Sequence, residues 1–376
     1  MTGPGQWGPG DEEPYTGPPP MRRPEPAQWP AGSWPGPWQP APWGLRPPPP
    51  VPPLPAGVRW APPPGTPPHD VPRPFLLAMR SRDWAWWRPV LGLALLGVVY
   101  VVAVFVIVIL SLLTGLAPDL SLLDLVDPAV LLLTNLTLIV AIPTVWLAWA
   151  VAHGMGTGWS SSVLARLRWR LLPRFVVLAL LTLGTGIALS VLLGFLLGDD
   201  AVTGPVPGLG WLLLVVFLTT PLQSAAEEYL FRGYLSQTIA GWIRAPRAGA
   251  VVAAVVTAAL FSAAHLPPDF LTFLDRFVFG LGASAVVWLT GGLEAAIVLH
   301  AVNNVLVFVL AGALGGSVVT EELPASGGVL FVLISVLSTA AYVAVVARSG
   351  RTLRPQRLTG ARDLRGPGPL VPAPAA

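Results

Sequence analysis

The sequence contains no cysteine and no lysine, and charged residues make up only 11% of its 376 positions. The absence of cysteine excludes disulfides, thiolate metal sites, a cysteine nucleophile and lipid attachment to a cysteine of this chain. An ordinary soluble domain carries about 25% charged residues, so a chain this poor in charge could not cover a water-exposed surface. The 22 basic residues, all arginine, exceed the 19 acidic residues by three. We therefore expect no nucleic-acid partner, because such partners select strongly basic surfaces.

Apolar residues, in contrast, make up 53% of the chain and are concentrated in eight long runs. About 20 apolar residues cross a bilayer as an α-helix, which satisfies its own backbone hydrogen bonds there. The sequence therefore predicts an all-α fold, a polytopic transmembrane helical bundle of about eight spans. The sixth run is the weakest, because Asp275 and Arg276 interrupt its start. The runs cover about residues 89–115, 129–151, 174–197, 209–239, 248–265, 270–290, 293–313 and 328–347.

The loops between the runs alternate in charge, and only the loop between the fifth and sixth runs is ambiguous. Arginine-rich loops face the cytoplasm, so we expect a multi-pass protein of the plasma (inner) membrane with both termini cytoplasmic. We interpret the arginine-rich segment 166–174 as a determinant of this topology, with an interfacial amphipathic stretch as the alternative. The arginines are Arg80, Arg82, Arg88, Arg166, Arg168, Arg170, Arg174, Arg244, Arg247, Arg348, Arg351, Arg354 and Arg357, and the intervening acids are Asp119, Asp124, Asp127, Asp199, Asp200, Glu321 and Glu322.

Three domains follow from the composition. Residues 1–78 hold 27 of the 44 prolines and several scattered tryptophans, and we expect a disordered cytoplasmic tail. This tail is either a plain linker or a docking segment for a partner that the sequence does not identify. Residues 79–348 form the predicted helical bundle, and residues 349–376 a disordered tail rich in arginine and proline.

Ionisable side chains inside the runs are few, and a charge at bilayer depth is costly. Glu228 and Arg232 are four positions apart in the fourth run, with the acid first, which is the favourable order for an ion pair on a helix. Glu227 lies about 100° around the helix from Glu228 and is not matched to Arg232 in the same way. This leaves Glu227 free to titrate, as a general base near neutral pH requires.

Two further polar groups lie in the fifth and seventh runs. His265 ends the fifth run, and His300 and Asn304 are four apart on one face of the seventh. Counting residues from the connecting turns places Glu227, His265 and His300 at one height if the fourth and fifth runs protrude into the cytoplasm by about 13 Å. The count predicts one polar site about 10–15 Å below the cytoplasmic membrane face.

These three segments resemble the CPBP family of intramembrane proteases, also called the Abi family, which includes the type II CAAX prenyl endopeptidases. The family carries Glu-Glu-x-x-x-Arg, Phe-x-x-x-His and His-x-x-x-Asn motifs, in that order, on separate membrane helices. The resemblance covers about residues 209–313. The matching residues are Glu227, Glu228 and Arg232, then Phe261 and His265, then His300 and Asn304.

The resemblance implies a hydrolase that cuts a peptide bond in a membrane protein or peptide substrate. Glu227 would activate water with help from His265, while His300 and Asn304 would donate hydrogen bonds to the oxyanion. Glu228 and Arg232 would support the helix, although a part for Glu228 in water activation stays open. The family is often described as metalloproteases, and Glu227, His265 and His300 could hold zinc. No His-Glu-x-x-His pair is present, so we favour a metal-free mechanism with no cofactor.

Two other classes of function stay open from the sequence. Buried Glu and His could form the proton relay of a coupled transporter. A scaffold would instead use its buried charges for structure alone and its Pro-rich tail for recruitment. We expect Glu294 to be an acid that begins a helix near the cytoplasmic face. The absence of lysine, with much arginine, alanine and glycine, is typical of a GC-rich bacterial genome, in which prenylated substrates are not expected.

Overall fold

The structure is a computed structural model, and every residue that it describes falls within one compact unit, Pro50–Ala376. The bundle is built from α-helices, as the apolar runs predict. The described residues are 58–60, 72–81, 84–115, 124–197, 202–315, 328–360 and 370–372.

Ten α-helices form the bundle. Short 3-10 helices at Phe75–Ser81, Thr157–Ser160 and Trp169–Leu171 lie in the connections, and a π-helical segment, Phe231–Leu235, joins α5 to α6. Strands β1 (Val58–Trp60) and β2 (Leu370–Pro372) pair antiparallel, with Arg59 opposite Val371. The helices are α1 Trp87–Thr114, α2 Pro128–Ile139, α3 Ala141–His153, α4 Leu172–Leu197, α5 Leu209–Leu230, α6 Ser236–Ile243, α7 Pro246–Ala264, α8 Phe270–Thr290, α9 Glu294–Leu314 and α10 Gly328–Leu353.

Eight stretches among the described residues are long and apolar enough to cross a membrane, which confirms the predicted number of spans. The second span consists of α2 and α3, and the fourth of α5, the π-helical segment and α6. Asp127 starts α2 as an N-cap, since its side chain accepts hydrogen bonds from the main-chain N–H groups of Ala129 and Val130. Large apolar side chains on α1, such as Val98, Phe105 and Leu113, point outward, as expected for contact with lipid.

Helix α5 lies among three others and carries the acidic motif. It packs against α2, α3 and α9. Helix α4 packs against α9 and α10, and α8 packs against α7, α9 and α10. The largest core cluster joins these helices through buried side chains that include Phe175, Ala225, Tyr229 and Leu299. This packing brings α5, α7, α8 and α9 together around the residues of the three motifs.

Arg168 and Glu294 form a buried ion pair that the sequence did not predict. The Nε and main-chain N–H of Arg168 both donate to Glu294 Oε1 at 2.8 Å, and its Nη2 donates to Oε2 at 2.6 Å. Arg168 Nη1 also donates to the carbonyl oxygens of Thr290 and Gln356. Glu294 does begin α9, as expected, but its charge is paired with an arginine 126 positions away. The pair anchors the start of α9, six residues before His300.

The folded part extends further than predicted at both ends. The 3-10 helix Phe75–Ser81 is buried, so the predicted tail boundary at residue 78 is wrong. Helix α10 continues to Leu353, and the main-chain N–H of Thr359 donates to the carbonyl of Arg73 at 2.8 Å, so the boundary at residue 349 is also wrong. An apolar five-residue run, Phe75 to Met79, supplies the burial. Apart from residues 58–60, 72–78, 349–360 and 370–372, the predicted tails lie outside the described residues.

We predict that Glu294→Ala destabilises the protein by about 3–5 kcal/mol, because it leaves the buried Arg168 guanidinium without its counter-charge. The measurement is the thermal unfolding of the purified protein in detergent. Arg170→Ala is the matched control, because Arg170 is exposed in the same segment and its loss should change stability by less than about 0.5 kcal/mol. Equal losses of stability in the two variants would show that the buried ion pair adds no more to the stability of the protein than an exposed arginine does.

Candidate active site

The buried carboxylate of Glu228 connects three helices. Arg232 Nη1 donates to Glu228 Oε1 at 3.0 Å, and neither side chain is exposed, which confirms the predicted ion pair. His300 Nδ1 lies 3.1 Å from the same oxygen, so its Nδ1–H donates to the carboxylate from α9. Arg232 Nη2 donates to the carbonyl oxygen of Gly280 on α8 at 2.9 Å. One carboxylate and one guanidinium thus fix the positions of α5, α8 and α9.

A side chain at position 280 would disturb this arrangement. A Cβ added to Gly280 would lie 3.0 Å from Cα of Ala258 on α7 and 3.1 Å from Arg232 Nη2. The bare backbone therefore lets α7 and α8 approach closely while a carbonyl oxygen reaches the guanidinium. Gly280 therefore serves the packing of α8 against α7.

The two carboxylate oxygens of Glu227 have different surroundings. Gln223 Nε2 donates a short hydrogen bond to Oε1. Oε2 is buried and has no hydrogen-bond partner. Instead, Oε2 lies 3.8 Å from His265 Nε2 and 3.9 Å from His300 Nε2. The structure thus brings Glu227, His265 and His300 together, as the counting of helix heights predicted.

Both histidine rings are oriented through their Nδ1 atoms. His265 Nδ1 lies 2.8 Å from the carbonyl oxygen of Phe261, which can only accept, so Nδ1 carries the hydrogen. His300 Nδ1 is held by Glu228 in the same way. The Phe261 ring lies beside both imidazoles, with ring centroids 4.6 Å from His265 and 5.5 Å from His300. Both Nε2 atoms are consequently directed towards Glu227.

His265 follows directly after the last residue of α7 and is the most exposed of these groups, with 32% of its side chain accessible. Burial lowers its pKa below the ordinary value, although the Glu227 carboxylate and the Phe261 carbonyl act in the opposite direction. A neutral ring with Nδ1 protonated presents a lone pair at Nε2. Two acceptors cannot hydrogen-bond to each other, and their separation of 3.8 Å suits a water molecule that donates to both.

Asn304 lies at the edge of this group and does not contact the histidines by a hydrogen bond. Its Nδ2 is 3.3 Å from Gln223 Oε1 and 3.4 Å from Ser224 Oγ. Asn303 Nδ2 donates to Asn304 Oδ1 at 3.2 Å. Gln223 was not among the predicted site residues, yet it touches both Glu227 and Asn304. Its position one turn before Glu227 on α5 was the signal that could have identified it.

The described residues contain no group of three His, Asp or Glu side chains arranged to hold a metal ion. The zinc alternative with Glu227, His265 and His300 as ligands stays a prediction. The metal-free mechanism itself stays a prediction.

Residues 208–306 match the family model described as type II CAAX prenyl endopeptidase Rce1-like. The match confirms the resemblance drawn from the three motifs, all of which lie inside the matched segment. The matched segment is similar to a family of proteases, which indicates a hydrolase. No curated protein and no solved structure matches the chain.

We predict that Glu228→Gln and Glu227→Gln differ strongly in stability, although they are neighbouring isosteric substitutions. Glu228→Gln leaves Arg232 buried without a counter-charge, and should cost about 3–5 kcal/mol. Glu227→Gln keeps an oxygen that can accept from Gln223, and should cost less than about 1.5 kcal/mol. Thermal unfolding of both purified variants checks this, and a larger loss for Glu227→Gln would contradict the assignment of Glu228 as the structural carboxylate.

Proposed function

We propose that the protein is an intramembrane endopeptidase in which Glu227 activates a water molecule for attack on a peptide bond. The observation that carries this proposal is the position of Glu227 Oε2 between two imidazole Nε2 atoms, at 3.8 and 3.9 Å. A water molecule there can give its proton to the carboxylate. Glu228 is the weaker candidate for the base, since its side chain is fully buried and already shares Oε1 between Arg232 and His300.

The reaction that we propose balances without a further reactant. Glu227 takes one proton from water while the water oxygen bonds to the peptide carbonyl carbon, and His265 Nε2 holds the second hydrogen. The carbonyl π electrons move to its oxygen and form an oxyanion. When the tetrahedral intermediate collapses, the C–N bond breaks, and the proton held by Glu227 passes to the leaving amine. The products are a carboxylic acid, which keeps the second hydrogen of the water, and an amine, and proton exchange between them gives a carboxylate and an ammonium group.

Asn304 and His300 would stabilise the oxyanion in this proposal. Asn304 would use the N–H that does not donate to Gln223, and this N–H would exchange Ser224 Oγ, 3.4 Å away, for the oxyanion. His300 Nδ1 already donates to Glu228, so its Nε2 can donate only when the ring carries both protons. The resulting imidazolium would form an ion pair with Glu228. A donor of this kind commonly contributes about 3–4 kcal/mol to catalysis.

The helix lengths support a site that is reached from the cytoplasmic side. His300 lies six residues after the start of α9, roughly 9 Å along the helix axis, whereas Glu227 lies 16 residues before the end of α6, roughly 24 Å. Because the two side chains meet, the fourth span extends about 15 Å beyond the start of α9. With arginine-rich loops inside, this end of the bundle faces the cytoplasm and both termini lie there.

Glu227→Gln should lower cleavage about 100- to 10,000-fold, the range for removal of a general base, and His265→Ala should fall in the same range. The assay compares new protein termini in host membranes that contain the wild-type protein or Glu227→Gln. A quenched-fluorescent peptide that ends in a prenylated Cys-a-a-X sequence serves as the defined probe. Arg170→Ala, an exposed side chain outside the motifs, is the control and should keep activity. Termini that do not differ between wild type and Glu227→Gln would overturn the proposal.

Removal of metal ions tests the metal-free mechanism separately. We expect the wild-type protein to keep full activity after dialysis against a chelator, because Glu227 and His265 activate the water without a metal ion in the proposed reaction. Activity lost on dialysis and restored by zinc, but not by magnesium, would instead favour the alternative in which Glu227, His265 and His300 bind zinc.

A further inference from the structure

Gln223 occupies a buried position between the predicted base and the predicted oxyanion donor. The residue is only 5% exposed. Its Nε2 donates to Glu227 Oε1, and its Oε1 accepts from Asn304 Nδ2 at 3.3 Å. The Ser224 hydroxyl donates to the same oxygen at 3.3 Å. One amide group therefore contacts a residue of α5 on one side and a residue of α9 on the other.

The charge of Glu227 fixes the direction of this chain of hydrogen bonds. An ionised carboxylate can only accept, so Gln223 must turn its NH2 group towards Glu227. Gln223 Oε1 then faces Asn304, which must respond with its own NH2 group. Asn303 Nδ2 donates to Asn304 Oδ1 and favours the same orientation. The reverse orientation of Asn304 would bring two amide oxygens together.

We propose that Gln223 is a positioning residue that sets the orientation of the Asn304 amide according to the charge of Glu227. The inference rests on the proposed function. When Glu227 is ionised and ready to accept a proton, Asn304 presents N–H groups and not its oxygen towards the site. One N–H is used by Gln223, and the second, which lies 3.4 Å from Ser224 Oγ, would donate to the oxyanion in place of that hydroxyl. A flipped Asn304 would present a carbonyl oxygen, which repels the developing negative charge.

Two substitutions separate the donor from the acceptor part of Gln223. Gln223→Met keeps the length of the side chain and loses both hydrogen bonds. Gln223→Glu keeps an oxygen for Asn304 but, when ionised, cannot donate to Glu227. We expect each to lower kcat roughly 10- to 100-fold with little change in KM, as expected for the loss of one hydrogen bond to a charged group. Equal losses in kcat and kcat/KM indicate an interaction made in the transition state.

Gln237→Met is the matched control. Gln237 is also a fully buried glutamine of the fourth span, but its Nε2 donates to the carbonyl oxygens of Trp159 and Gly233, away from the motif residues. This variant should lose thermal stability and keep kcat. If Gln237→Met lowers kcat as much as Gln223→Met, the effect of Gln223 is general destabilisation and the proposal is wrong.

A double-substitution cycle tests whether Gln223 acts through Asn304. With the prenylated Cys-a-a-X peptide, Gln223→Met combined with Asn304→Ala should lower activity by less than the product of the two single losses. The reason is that either substitution alone already removes the hydrogen bond between the two residues. The shifts in unfolding midpoint should likewise be smaller together than their sum. Shifts in unfolding midpoint that simply add would disprove the contact between Gln223 and Asn304. Absence of peptide cleavage by the wild-type protein would contradict only the proposed function, and the midpoints would still test the contact.

Discussion

The arrangement of the motif helices depends on one buried carboxylate, that of Glu228. An isolated charge would be strongly unfavourable in this apolar surrounding, so its position is fixed by the groups that compensate it. Arg232 supplies the opposite charge from one turn along the same span, and His300 contributes Nδ1–H from α9. Arg232 in turn contacts the main chain of α8. Each partner can satisfy Glu228 only if its helix keeps its present position, which turns a local ion pair into a constraint on three helices.

Hydrogen bonds at Nδ1 determine how the two imidazole rings are oriented towards Glu227. Because Glu228 holds His300 by Nδ1, the Nε2 atom must face the opposite way, towards Glu227. The main-chain carbonyl of Phe261 has the same effect on His265. Both rings are thereby fixed in one tautomer and one direction without a contact to each other. The π-helical segment Phe231–Leu235 follows immediately after the acidic pair, and π-helical turns are frequent at functional sites.

Residue spacing predicted those parts of the site that depend on a single helix or on helix length. The four-residue interval between Glu228 and Arg232 specified their ion pair, and the counts from the connecting turns predicted the meeting of Glu227 with the histidines. Contacts between distant segments left no such signal. Arg168 and Glu294 are 126 positions apart and pair through a loop whose path the sequence does not specify. The burial of Phe75–Ser81 was missed because its apolar run is too short to cross a bilayer.

The buried glutamates Glu294 and Glu227 differ in how their carboxylate oxygens are satisfied. Both oxygens of Glu294 accept hydrogen bonds from Arg168, so no acceptor capacity faces solvent or substrate. Glu227 uses Oε1 in the same manner with Gln223 but leaves Oε2 without a hydrogen bond, next to two nitrogens. Glu228 Oε2 is also buried without a hydrogen bond, so the two imidazole nitrogens beside Glu227 Oε2, and not the missing bond, distinguish Glu227. In the proposed hydrolase this arrangement provides an acceptor for the proton of the attacking water.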